Sequence, residues 1–198
     1  TNMDHMFHYA NSFNQPIDGW DVSNVLNMSY MFMNANEFDQ PIGGWDVSNV
    51  TDMDGMFKGT LALGPIRFNQ PIGNWNVSNV VNMKSMFELS KYNQPLDTWN
   101  VSKVTNMESM FAYDRNFNQH INTKIVNQGQ ENEYTAWNVS NVTNMKNMFC
   151  YAQNFNQPLN NWDISNVTNM NRLFKNAKNF NQDINDWIVS NVNDMYEM

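Results

Sequence analysis

The sequence predicts an α/β repeat solenoid of seven coils, with short strands forming a parallel sheet on one face and short helices on the other. Three observations lead to this fold class. All seven tryptophans of the 198-residue chain lie in one recurring phrase, most of them are about 25 residues apart, and apolar residues keep a fixed phase around each. A unit this short cannot bury its apolar side chains alone, so neighbouring units must stack.

The clearest copy of the repeat runs over residues 155–179, as FNQPLNNWDISNVTNMNRLFKNAKN. Related copies begin at Phe13, Phe38, Phe68, Tyr92, Phe117 and Phe180. Two insertions, at 58–67 and 120–136, lengthen single repeats without disturbing the phrase on either side. We therefore expect residues 1–198 to form a single repeat solenoid in which the insertions are loops.

Each repeat predicts a strand followed by a helix. The phrase that starts at Trp20 alternates apolar and polar residues, which is typical of a half-buried strand. From Val25 onward, Met28, Phe32 and Ala35 recur at helical spacing and define one apolar face. The Asn-Gln-Pro phrase then ends the helix, because proline cannot donate a helical hydrogen bond.

Asparagine makes up 38 of the residues and holds a fixed position in the repeat. We expect one set to stack as a ladder of amides, each donating a hydrogen bond to the carbonyl of the next coil. Aspartate replaces asparagine once in this set. The set is Asn14, Asp39, Asn69, Asn93, Asn118, Asn156 and Asn181.

Composition excludes two classes of partner. The formal net charge is −8, and the eleven Lys and Arg residues are scattered singly, so no basic surface is available for nucleic acid or for an anionic membrane. The mean hydropathy of −0.61 argues against direct insertion into a membrane.

The phrases WDVSNVTDMDGMF (45–57), WNVSNVTNMKNMF (137–149) and FNQPL (155–159) resemble the 26-residue bacterial surface-protein repeat. That repeat is found in mycoplasma lipoproteins and Listeria surface proteins and is related to BspA-like leucine-rich repeats. The resemblance implies a right-handed, leucine-rich-repeat-like solenoid. It also implies an extracellular position, on a cell or viral particle surface, a role in adhesion or host interaction, and no catalytic residues to carry over.

The residues themselves predict no enzyme, no metal site and no cofactor. His5, His8 and His120 are scattered, and no nucleophile or phosphate-binding motif occurs. Asp52 and Asp54 look faintly like a calcium pair but lack the glycine turn and the later carboxylates of a calcium loop.

The first candidate binding surface is an acidic and amide strip on the expected concave sheet face, suited to a glycan or a basic peptide. A plain solvated strand face is the alternative. The strip consists of Asp21, Asp46, Asn76, Asn100, Asn138 and Asp163.

The second candidate surface is the two insertions, whose exposed apolar residues suggest a protein contact. We expect the longer insertion to carry an apolar tip. The candidate residues are Leu61, Leu63, Ile66, Ile125, Val126, Glu131, Glu133 and Tyr134.

The sequence thus predicts a surface-exposed, non-enzymatic interaction or adhesion module that binds a protein or a glycan. The alternative is a structural component that assembles into a filament, a cell surface or a viral shell. The chain begins and ends inside a repeat, so we expect an excerpt of a longer chain, with end-to-end self-association possible.

Overall fold

The structure is a computed structural model that describes all residues 1–198, and its backbone is built mainly from turns. It contains no helix. The only strands are β1 (Lys124–Val126) and β2 (Tyr134–Ala136), which pair antiparallel with Ile125 opposite Thr135. The predicted right-handed, leucine-rich-repeat-like α/β solenoid, with its helices and parallel sheet, is therefore wrong.

Neighbouring repeats contact each other through single-residue bridges instead of through a sheet. Seven parallel bridges run in series along the chain, each between residues at the same repeat position. The N–H of the following methionine adds a hydrogen bond, as from Met28 to the carbonyl of Asp52 (3.0 Å). The bridges join, in order, Asn2, Asn27, Asp52, Asn82, Asn106, Asn144, Asn169 and Asp194.

Consecutive turns occupy the segment that was predicted to be helical. The N–H of Met31 donates to the carbonyl of Met28 (3.2 Å), which closes a turn, whereas the N–H of Tyr30 donates to Asp54 in the next repeat (2.7 Å). Linked four-residue turns place apolar side chains at intervals of three and four, as a helix does. The helical spacing was therefore real, but its backbone interpretation was wrong.

These turns need left-handed backbone conformations at non-glycine residues. Tyr30 has φ of 54° and Asn34 has φ of 58°, and the cognate positions of other repeats behave alike. None of the fifteen non-glycine residues with positive φ is Val, Ile or Thr. Since β-branched side chains tolerate this region least, their absence fits the conformation.

The core is continuous along the stack and contains 50 buried apolar residues between Ile17 and Trp187. Phenylalanine rings stack from repeat to repeat, as Phe32 does on Phe57 with ring centroids 5.7 Å apart. Six tryptophan indoles donate to carbonyls of the preceding repeat, for example Trp45 to Ile17 (3.1 Å). Side-chain hydrogen bonds and ring stacking thus fix the register between repeats.

The expected amide ladder is present, but its hydrogen bonds run the other way. The Oδ1 of Asn14 accepts the backbone N–H of Asp39 (3.0 Å), and the Oδ1 of Asp39 accepts the N–H of Asn69 (2.9 Å). The same bond continues to Asn181. Because the position needs an acceptor, aspartate serves at residue 39 as well as asparagine does elsewhere.

Candidate functional site

The acidic and amide strip lies on turns and not on a sheet, so the expected concave sheet face is not found. Each of its six residues uses Oδ1 to accept the backbone N–H of the serine two positions later, at 3.0–3.2 Å. At Asp21, the bonds from the Ser23 hydroxyl and N–H lower the pKa of the carboxyl. These side chains therefore cap their own turns, and one polar atom of each is left for solvent or a ligand.

The first insertion presents two leucines to solvent. The N–H of Gly64 donates to the carbonyl of Thr60 (2.7 Å), which closes a tight loop that contains Leu61, a residue that is 80% exposed. Leu63 is also exposed. Ile66 was predicted to be an exposed loop residue, but it is fully buried and bridges to Ser90, because it re-enters the core stack.

The second insertion is a β-hairpin that folds back onto the preceding repeat. The hydroxyl of Tyr134 donates to the carbonyl of Thr98 (2.6 Å), and Lys124 forms an ion pair with Asp97. Val126 and Tyr134 pack against the core.

The hairpin does not have the expected apolar tip. Its turn, residues 127–133, is polar, with Glu131 and Glu133 exposed, and the Glu133 carboxylate accepts the N–H of Gly129 (2.6 Å). Of the three apolar candidates in the hairpin, only Ile125 is exposed, and it lies on β1. The turn is polar because residues 127–133 carry the chain through positive φ at Asn127 and Gly129.

A groove of about 490 Å³ lies beside the first insertion, and we call it the Leu61 groove. Its volume falls in the range of ordinary ligand pockets. It is lined by Leu61, Gly64, Pro65, Leu89, Ser90, Lys91, Tyr113, Arg115, Asn116 and Tyr151.

Three bulky residues of the Leu61 groove occupy strained backbone positions. Leu89, Tyr113 and Tyr151 have φ of 52°, 61° and 60°, at the repeat position where Asn34 and Asn176 stand in other repeats. Left-handed conformation costs roughly 1–2 kcal/mol for such residues, and less for asparagine. The rings of Tyr113 and Tyr151 stack at 4.7 Å and 8°. The left-handed angle belongs to the repeat, since Tyr9 adopts it outside the groove, so the stacked rings are what distinguish this surface.

The Leu61 groove is also locally basic on an acidic chain. Lys91 and Arg115 are exposed and occupy the same position of neighbouring repeats. Neither forms an ion pair, whereas six other Lys and Arg residues do. The groove therefore combines exposed apolar surface with two uncompensated cations.

A buried carboxyl lies under the Leu61 groove. Asp114 occupies the position of Ala35 and Ala152, accepts the hydroxyl of Ser90 (2.6 Å), and also accepts the N–H of Asn116 (3.0 Å). Burial raises the pKa of Asp114 to about 7. The Ser90–Asp114 bond fixes the floor of the groove between adjacent repeats.

A second groove, of about 350 Å³, lies where the hairpin meets the acidic and amide strip, and we call it the Tyr134 groove. It brings Asn76 and Asn100 of the strip together with Tyr134 of the insertion, so parts of both candidate surfaces converge. Its lining is Gly73, Asn74, Trp75, Asn76, Val77, Ser78, Thr98, Asn100, Asn132 and Tyr134.

Sequence reasoning missed Lys91, Tyr113, Arg115 and Tyr151. A signal for the tyrosines did exist, because tyrosine recurs at one repeat position, as Tyr9, Tyr113 and Tyr151. Its meaning depended on the left-handed backbone, which a helical interpretation hides. The sequence also provided no indication that the first insertion lies beside these tyrosines.

No cluster of three or more His, Cys, Asp and Glu residues is arranged to hold a metal ion. None of the chain forms a helix with the length and apolar character needed to cross a bilayer.

The stacked turns, ladders and recurring phrases define a tandem-repeat protein. The chain belongs to a Mycoplasma protein family of unknown function, DUF285, whose model matches it three times, over residues 1–65, 63–134 and 123–198. This match supports the repeat-family part of the resemblance and does not confirm a BspA-like leucine-rich repeat. No curated protein and no solved structure matches the chain.

Proposed function

We propose that this protein is a non-enzymatic interaction module that docks an acidic segment of a partner protein in the Leu61 groove. The observation that carries the proposal is the pair of unpaired cations, Lys91 and Arg115, beside the exposed Leu61 and the stacked tyrosines. Cations flanking an aromatic and aliphatic surface suit a peptide with carboxylates around an apolar anchor.

Rigidity supports the same proposal. The groove spans consecutive repeats whose backbones are joined by hydrogen bonds, as from Tyr113 to the carbonyl of Cys150 (2.7 Å). A preformed surface loses little conformational entropy on binding. The resemblance to bacterial surface-protein repeats supports a position on a cell or particle surface, which labelling of intact cells expressing the protein would test.

The test measures the anisotropy of labelled short peptides that contain one tryptophan among glutamates, with lysine-for-glutamate peptides as controls. We expect the acidic peptide to bind the full chain, with affinity that falls as salt rises, and the lysine peptide not to bind. The proposal is contradicted if none of the acidic peptides binds.

Charge reversal supplies a matched pair of variants. Lys91→Glu with Arg115→Glu should weaken acidic-peptide binding by roughly tenfold or more, because two favourable charges become repulsive. Lys178→Glu reverses one charge at the same repeat position outside the groove and is compared with each single groove variant. It should bind like the wild type. Equal loss in both variants would indicate a non-specific charge effect and count against the groove.

A tyrosine variant separates function from stability. Tyr113→Asn with Tyr151→Asn installs the residue that other repeats carry at this left-handed position. We expect a free energy of unfolding within about 1 kcal/mol of the wild type, since relief of strain offsets the lost stacking. Peptide binding should nevertheless be lost. Retained binding would mean that the tyrosines are not part of the docking surface.

A further inference from the structure

We infer that the Tyr134 groove is a second binding site, one that takes an uncharged saccharide. This site shares no residue with the Leu61 groove and does not depend on the acidic-segment proposal. Three features of the groove lead to a saccharide: its polar groups, its lack of charge and its fixed aromatic ring.

The polar groups of the Tyr134 groove leave amide donors free. Asn76 accepts the N–H and the hydroxyl of Ser78 (3.2 and 2.7 Å) through Oδ1, and Asn100 accepts the N–H of Ser102 (3.2 Å). These bonds hold each amide in one orientation, while neither Nδ2 donates to another group of the chain. Two oriented amide donors therefore face the groove. Beside them, the Ser78 and Thr98 hydroxyls already donate within the chain, so their oxygens can accept from a ligand.

No residue lining the Tyr134 groove is charged, although the chain as a whole carries a net charge of −8. An anionic ligand would meet repulsion without a compensating cation, and a cationic ligand would meet no carboxylate in the groove. An uncharged ligand with many hydroxyls matches the lining best.

The aromatic ring is held in place before any ligand binds. Tyr134 donates its hydroxyl to Thr98 (2.6 Å), and the Thr98 hydroxyl donates to the carbonyl of Gly73 (2.9 Å). A fixed ring offers a flat apolar surface for the C–H face of a sugar, while the asparagines bind its hydroxyls.

The experiment uses an array of neutral hexose and N-acetylhexosamine oligosaccharides, their sialylated and sulfated counterparts, and a set of uncharged peptides. The best neutral saccharide is then titrated into the full chain and followed by NMR. We expect neutral saccharides to bind and the anionic ones not to bind. Binding of anionic saccharides alone, of peptides alone, or of nothing on the array would overturn the inference.

Aspartate variants locate the site without disturbing the turns. Asn76→Asp with Asn100→Asp keeps the Oδ1 acceptor, as Asp46 and Asp163 do naturally, but removes both amide donors. Saccharide binding should fall by roughly tenfold or more. Asn138→Asp makes one such change in the next repeat, outside the groove. It is compared with each single groove variant and should bind as the wild type does. Unchanged binding by the double variant would overturn the inference.

Discussion

At the level of single residues, side-chain oxygens that accept backbone N–H groups hold the repeats together. The ladder from Asn14 to Asn181 places one acceptor per repeat against the N–H of the next repeat. Glutamines add to it, as Gln157 donates to Asn118 (3.0 Å). The abundance of asparagine is therefore explained mainly by structure, since each buried N–H in a turn must find a partner.

Replacing one ladder residue tests this role of the acceptor. Asn118→Ala leaves the N–H of Asn156 (2.9 Å) without its acceptor, while the Gln157 amide keeps only the backbone carbonyl of residue 118. The free energy of unfolding should therefore fall by about 1–3 kcal/mol. Asn118→Asp keeps the acceptor, as Asp39 does, and should cost less. Urea unfolding measures both, and an equal loss would show that the acceptor is not what matters.

Asp114 should make stability depend on pH in an unusual direction. Its pKa is raised from 3.8 to about 7 by burial, so the fold binds a proton that the unfolded chain releases. The stabilising effect of that proton is complete below pH 3.8 and is lost as pH rises through about 7. Stability should therefore fall across this range, by up to about 4 kcal/mol.

Asp114→Asn resembles the protonated acid, so it should remove this fall in the free energy of unfolding. Chemical unfolding at several pH values across the range measures it. Asp163→Asn is the matched control, because the pKa of Asp163 is lowered by its bonds to Ser165 and it titrates below the window. It should leave the slope unchanged. A wild-type stability that is flat or rises with pH would contradict the assignment.

At the level of elements, the sequence predicted the repeat phase and its inward-facing residues but not the backbone. Trp45, Met28 and Phe32 are buried as expected, whereas Trp20 of the first repeat is 40% exposed. Helices were predicted because linked turns and helices share the same apolar spacing, and only backbone angles separate them. Ile66 was wrongly predicted to be exposed, because the sequence does not show where the insertion ends and the chain rejoins the core. No sequence pattern indicated that the hairpin packs against the preceding repeat.

Removing residues 124–136 tests the hairpin as an element. The shortened chain reads Phe117-Asn-Gln-His-Ile-Asn-Thr-Trp, with the same spacing from aromatic to tryptophan as residues 155–162. We expect cooperative unfolding and unchanged acidic-peptide binding, because the Leu61 groove lies elsewhere. Saccharide binding should be lost with Tyr134. A chain that folds yet loses peptide binding would show that the hairpin contributes to the protein-binding surface.

At the level of the whole molecule, the stack presents two grooves of different chemistry, each formed where an insertion meets the regular repeats. Such a molecule acts as a rigid scaffold, since the ladders link every repeat to its neighbour while the insertions provide what is specific. The structural alternative, a component that assembles with itself, makes a different prediction about mass.

Light scattering coupled to size exclusion distinguishes these alternatives across a wide range of protein concentration. An interaction module should keep the mass of one chain, 23.2 kDa, at every concentration. Discrete oligomers or growth with concentration would favour the structural role and end-to-end self-association instead. The Lys91→Glu with Arg115→Glu variant serves as a control, because its mass should match that of the wild type.

The proposal of a protein-binding groove rests on where an acidic partner contacts the stack, and NMR chemical-shift mapping with the acidic tryptophan peptide locates that contact. We expect the largest shifts at Leu61, Leu89, Tyr113 and Tyr151, with the hairpin residue Tyr134 unmoved. Shifts confined to the acidic and amide strip, or spread without a centre, would contradict docking in the Leu61 groove.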